Sequence, residues 1–87
     1  MKIETNLNFL KGKRIVVTGG SGFIGTHMLM KLVETGAYIR TCTHKRELQF
    51  THKHIQVFHN VDLTDIRQCY NLVKDADYVI NCAGEVA

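Results

Sequence analysis

The sequence predicts an α/β fold: a partial Rossmann arrangement with a parallel sheet of about four strands in the order 3-2-1-4 and helices on both faces. Three observations predict it. Short β-branched runs alternate with helical patterns of about 12 residues, and crossovers of that length join parallel neighbours. A glycine cluster, Gly19-Gly20-Ser21-Gly22, falls between the first run and the first helical pattern. The right-handed crossover rule then leaves few topologies.

Each element has its own signal. Arg14-Ile15-Val16-Val17-Thr18 is a continuous run of the buried-strand type. From Gly22 to Thr35, Ile24, Met28 and Leu32, with Leu29 and Val33, keep helical spacing. Gly36 follows, as a left-handed C-cap requires. Tyr38 to Thr43 reads as the second strand, and Ile55-Gln56-Val57-Phe58 as the third. Between them, Lys45 to His54 is a short helix or an open loop. Thr64 or Asp65 caps a second helix with the apolar face Ile66, Cys69, Tyr70 and Val73. Tyr78 to Cys82 is the fourth strand, and Asp75 and Asp77 belong to the turn before it.

Composition narrows the function. Eighty-seven residues, 45% hydrophobic and 22% charged, describe one small globular domain and not a disordered chain. The absence of proline excludes a proline-rich linker or recognition tract. No apolar run approaches the roughly 20 residues of a membrane span. The N-terminus carries no stretch of signal-peptide length either, so the chain reads as cytoplasmic with no membrane partner. Cys42, Cys69 and Cys82 form no Cys-x-x-Cys pair, which points to reduced, mostly buried thiols and no metal. The net charge is a mild +3 with His neutral, and His44, Lys45, Arg46, His52, Lys53 and His54 concentrate basicity in one stretch, with Glu47 the only acid among them. Without interleaved aromatics this stretch does not read as a nucleic-acid surface. His52 and His54 lack the further ligands a metal needs and read as a surface loop.

The glycine loop, Thr18 to Gly25, carries the chemistry. A sharp strand-to-helix turn needs a residue free of Cβ constraints, here Gly19. A pyrophosphate needs close backbone approach, which Gly22 permits, and the helix N-terminus supplies unpaired N–H donors. Gly25 is expected to let the helix pack tightly on the strand. No Gly-Lys-Ser/Thr ends the loop, so it is not a Walker P-loop.

As Thr18-Gly19-Gly20-Ser21-Gly22-Phe23-Ile24-Gly25, the loop resembles the fingerprint of the extended short-chain dehydrogenase/reductases, the sugar-nucleotide epimerases, dehydratases and reductases. Asp62-Leu63 resembles that family's acidic-apolar pair beside the adenine ring. Val79-Ile80-Asn81-Cys82-Ala83-Gly84 is similar to the segment that lines the cofactor's riboses. The resemblance implies a cofactor cradle made of Gly19, Gly22, Phe23, Ile24, Gly25, Asp62, Leu63, Cys82, Ala83 and Gly84. Residues 1–87 are then an N-terminal dinucleotide-binding portion, with the substrate-binding part absent from the chain.

An NAD-type site places an acid roughly 20 positions past the glycines. Thr43 stands there, followed by His44, Lys45 and Arg46. Cationic groups at that place suit a 2′-phosphate, which puts NADP ahead of NAD. The family's catalytic Tyr-x-x-x-Lys has one literal match, Tyr70-Asn71-Leu72-Val73-Lys74. In the family that pair lies after the fifth strand, so Tyr70 is read as part of its helix's apolar face and no catalytic residue is assigned. The implied function is the NAD(P)-binding portion of an enzyme acting on a nucleotide sugar or similar small substrate, inactive as this chain alone. The alternative is a non-enzymatic dinucleotide sensor or interaction module. An unpaired edge on the fourth strand would invite self-association.

Overall fold

Alternate residues of β1 (Arg14–Thr18) face opposite sides of the sheet, and each side is covered by its own helix. The computed structural model describes residues 7–82. After a short 3-10 turn at Asn8–Leu10 come β1, α1 (Phe23–Val33), β2 (Tyr38–Cys42), β3 (Ile55–Phe58), α2 (Ile66–Val73) and β4 (Tyr78–Asn81). Every strand pair is parallel and the order is β3-β2-β1-β4, as the crossovers predict. Ile15 and Val17 of β1 pack with Ile39 of β2 and with Leu29 and Leu32 of α1. Val16 faces the other way and joins Cys42, Val61 and Leu72 of α2.

The helix ends follow from their caps. Gly36 takes φ +81°, and its N–H donates to the Val33 carbonyl to close α1. Asp65, not Thr64, caps α2: its carboxylate accepts from the Arg67 and Gln68 N–H groups. Asp75 takes φ +62° in the turn before β4, and Asp77 accepts from the Arg14 N–H at 2.8 Å. Lys45 to His54 contains no helix and runs as an open loop. The second strand ends at Cys42 and the fourth at Asn81, each one residue before the expected end.

Two helix faces differ from expectation. In α1, Leu29 and Leu32 are buried while Ile24 is 65% exposed. Ile24 belongs to the first turn, which meets the glycine loop through its neighbour Gly25 and leaves Ile24 outward. In α2 the inward stripe is buried Leu72 with half-buried Cys69 and Val73, continued past the helix by half-buried Ala76, in place of Ile66, Cys69, Tyr70 and Val73. Leu72 is 1% exposed, whereas Ile66 and Tyr70 are 83% and 59% exposed. The two stripes share Cys69 and Val73, so helical spacing alone does not separate them. Arg40 does: its Nη1 donates to the carbonyls of Leu72 and Lys74 and draws the C-terminal end of α2 onto β2. Among the described residues no helix is long and apolar enough to cross a membrane.

Burial therefore ranks three substitutions on α2. Leu72→Ala removes a packed side chain and is expected to cost about 2–5 kcal/mol. Ile66→Ala and Tyr70→Ala should each stay within about 0.5 kcal/mol of the parent. Urea unfolding of the three variants checks the order, and an Ile66→Ala loss equal to that of Leu72→Ala would restore the other stripe.

Candidate functional site

The loop between β1 and α1 turns on backbone. Gly19 takes φ +77°, and its carbonyl accepts from the Gly22 N–H at 3.1 Å. Thr26 in the first turn of α1 holds the loop from the other side. Its hydroxyl donates to the Gly22 carbonyl at 2.6 Å and the Gly20 carbonyl at 3.2 Å. Gly22 is the N-cap and supplies no side-chain cap. The N–H groups of Phe23, Ile24 and Gly25 thus meet no acceptor among the described residues, the arrangement that suits a phosphate.

The glycines have separate duties. A Cβ on Gly22 would meet only the Gly19 carbonyl oxygen at 3.5 Å, so that face of the loop is open. A Cβ on Gly25 would overlap the same oxygen and lie 2.6 Å from its carbon and 2.8 Å from the Gly20 Cα. Gly25 thus packs the helix onto the loop's own backbone and not, as expected, onto the strand. Gly20 carries a constraint the motif spacing does not reveal. A Cβ there would overlap the Thr41 hydroxyl and come within 3.0 Å of the Leu29 Cδ1. Only the pairing of β1 with β2 creates that contact.

At the C-terminal ends of the strands lies an open cavity of about 680 Å³. Gly19, Ser21 and Gly22 form one wall and Thr43, His44, Lys45 and Arg46 another. Asp62, Leu63 and Thr64 form a third, with Cys42, Val61 and Cys82 at its base. Four segments far apart in sequence converge here. Phe23 lies beside it, 80% exposed, in an adjoining cavity with His27, Arg46 and Gln49. Ile24 is exposed and Gly25 buried, so neither side chain lines the main cavity. Ala83 and Gly84 lie outside the described residues.

The strand ends are tied together beneath the cavity. The Thr18 hydroxyl donates to Asn81 Oδ1 at 2.6 Å. Cys82 N–H donates to the Thr18 carbonyl at 2.8 Å. Thr43, buried just past β2, accepts at its carbonyl from the Val61 N–H at 2.8 Å and so fixes the approach to Asp62. Asp62 Oδ1 accepts from the Thr64 hydroxyl at 2.6 Å and the Thr64 N–H at 2.9 Å. These bonds, with His44 adding a smaller pull, hold its carboxyl below the usual range. Asp65 is held low by the Gln68 side chain and the Arg67 and Gln68 N–H groups. Burial pushes the Cys42 thiol up, so it stays protonated near neutral pH. Cys42 is buried, whereas Cys69 and Cys82 are half-buried.

Tyr70 and Lys74 stand outside the cavity. Tyr70 is exposed and does not serve the apolar face assigned to it. Lys74 has already left the helix, at φ −54° and ψ 128°, so the two side chains do not share a helical face. The His54 N–H donates to His52 Nδ1 at 3.0 Å, which gives this pair a local structural role. Ser21, Cys42, Val61 and Thr64 line the cavity without having been singled out as site residues. No local pattern marks them, because they gather only when the strand ends do.

A glycine turn into a helix N-terminus, set at the strand ends of a 3-2-1-4 parallel sheet, defines a Rossmann-type nucleotide-binding unit. The chain belongs to the NAD dependent epimerase/dehydratase family, whose model matches residues 15–87. It is 35% identical over 78 residues to GDP-mannose 3,5-epimerase 1 of Oryza sativa subsp. indica, covering 84% of this chain and 20% of that protein. The chain thus spans about a fifth of the length of the curated relatives it matches. The solved epimerase Mth375 of Methanothermobacter thermautotrophicus superposes with a TM-score of 0.81 at 23% identity, over 93% of this chain and 25% of that one. A short-chain dehydrogenase from Leptospira borgpetersenii serovar Hardjo-bovis, solved with bound NAD+, gives a TM-score of 0.74 at 21% identity, over 100% and 37%. At those identities the two structures share the fold.

The lowered carboxyls predict an acid-sensitive wall. Folded values below the unfolded ones mean that Asp62 and Asp65 stabilise fully above the ordinary carboxylate pKa of about 4. Their contribution is lost as pH falls through the folded values, because the unfolded chain takes up protons first. Thermal melts of the parent and of Asp62→Ala/Asp65→Ala should differ at pH 7 and converge as the pH falls below about 4. A gap that widens on acidification would contradict the assigned bonds.

Proposed function

We propose that residues 1–87 are the dinucleotide-binding portion of an NAD(P)-dependent epimerase, dehydratase or reductase acting on a nucleotide sugar or similar small substrate. One observation carries the reading: the open glycine loop, the basic segment after β2 and Asp62-Leu63 share one cavity at the strand ends. The first-turn N–H groups from Phe23 to Gly25 would receive the pyrophosphate beside Gly19 and Gly22. Asp62 and Leu63 would flank the adenine, and Cys82, Ala83 and Gly84 the riboses. A bound nicotinamide supplies hydride transfer; this chain's residues bind and orient it. The substrate-binding part is assigned to chain beyond these residues, in keeping with the share of its relatives that they span.

NADP is the favoured cofactor. Thr43 stands where an acid would receive the adenosine ribose hydroxyls, and His44, Lys45 and Arg46 are exposed on the cavity wall. At low salt NADPH should bind more tightly than NADH, by roughly tenfold for one well-made phosphate contact. Lys45→Ala/Arg46→Ala and added salt should each narrow the difference. Fluorescence titration of both cofactors measures it, and tighter NADH binding would reverse the assignment. Gly22→Asp should abolish binding of both while the chain stays folded, since a carboxylate would project from the loop's open face toward the phosphates.

The chain alone is not expected to turn over nucleotide sugars. A proton-transferring tyrosine must reach the substrate oxygen while the nicotinamide faces the reacting carbon. The exposed position of Tyr70 outside the cavity supports the view that it is not that group. Labelled-hydride exchange with the parent chain and Tyr70→Phe should be absent in both, and activity lost in the Phe variant would make Tyr70 catalytic. The same chain is proposed to self-associate through β4. Among the described residues that strand pairs only with β1, and Tyr78 and Val79 are exposed on it.

A further inference from the structure

We infer that Thr41 is a positioning residue for the candidate dinucleotide site, its hydroxyl setting the height at which the glycine loop leaves the sheet. The inference rests on the dinucleotide reading and adds a residue that touches no cofactor. Thr41 is fully buried in β2, in register with Val17 of β1. Its hydroxyl donates to the Val17 carbonyl at 2.7 Å, two residues before Gly19. That bond orients the oxygen, and the oxygen then occupies the space a side chain at position 20 would need. Gly20 is itself buried, and its carbonyl accepts from Thr26 at the start of α1. The contact therefore passes from β2 through Gly20 to the first turn of α1, which begins beside the cavity-lining Gly22.

Position 41 also lies two residues before Thr43, where the basic wall begins. One buried hydroxyl thus sits between the pyrophosphate end and the 2′-phosphate end of the proposed site. Alternatives for Thr41 fit less well. A β-branched residue is at home in a strand, but valine would place a methyl group where the donor now stands, lose the bond to Val17 and crowd Gly20. Serine keeps the oxygen and its bond.

The test is a cycle of variants of the full 87-residue chain, read by NADPH dissociation constant and by thermal melting. Gly20→Ala should weaken binding at least tenfold by lifting the loop off Thr41. Gly20→Ala/Thr41→Ala should bind about as well as Thr41→Ala alone, because the overlapping hydroxyl is gone, whereas Gly20→Ala/Thr41→Ser should stay as weak as Gly20→Ala. Thr41→Ser alone should bind within about twofold of the parent, and Thr41→Ala should weaken binding several-fold even at temperatures where the melt shows it folded. General destabilisation would give the opposite pattern, with the double alanine variant the poorest binder. That pattern, or unchanged binding by a folded Thr41→Ala, overturns the positioning role. A parent chain that binds no dinucleotide overturns both this role and the reading on which it rests.

Discussion

The site depends on backbone packed against backbone where α1 leaves the sheet. Gly25 brings the first turn of the helix so close to Gly19 and Gly20 that no Cβ fits between them. This approach explains several features at once. It goes with the left-handed turn at Gly19 and lets Thr26 reach two loop carbonyls. A loop held by larger side chains would stand off the helix. Steric exclusion thus acts at Gly25 against the loop backbone and at Gly20 against Thr41, while Gly19 supplies the positive φ and Gly22 leaves the loop's face open.

Around that constraint the electrostatics divide cleanly. The loop contributes backbone donors, β2 delivers a cationic segment, and the turn after β3 contributes a carboxylate already satisfied by Thr64. Asp62 Oδ1 is held by Thr64, and the carboxylate keeps its charge beside the basic wall, where it interacts with His44. Among the described residues the single ion pair is Lys31 with Glu34, on the exposed side of α1 at 4.0 Å. Lys45 and Arg46 form no ion pair among the described residues, and exposed cations on a cavity wall suit an anionic ligand.

The strand order, the loop and the strand starts were legible because each rests on a local signal: β-branched runs, glycine spacing and caps, while two strand ends fell one residue early. The convergence of the glycine loop with Asp62 and Cys82 was legible only through a family resemblance, since those segments meet by topology. The α2 face was misread for a physical reason. Two stripes share Cys69 and Val73, and the choice between them is made by Arg40, a residue of another strand. Gly20 was passed over for the same reason, its partner Thr41 being supplied by β2. Errors of this kind fall where a distant side chain decides between two locally equal options.

A cavity walled by segments following β1, β2, β3 and β4 has a thermodynamic consequence. No stretch shorter than the whole sheet presents the complete wall, so occupation of the site and folding of the sheet form a single linked equilibrium. A ligand that recognises only the assembled wall adds stability by mass action, about 2.7 kcal/mol at a hundred times its dissociation constant. For a domain this small that is a large fraction of a typical 5–15 kcal/mol total. The fold and its ligand would then be partners in the same stability, and the concentration of that ligand would help set how much of the chain is folded.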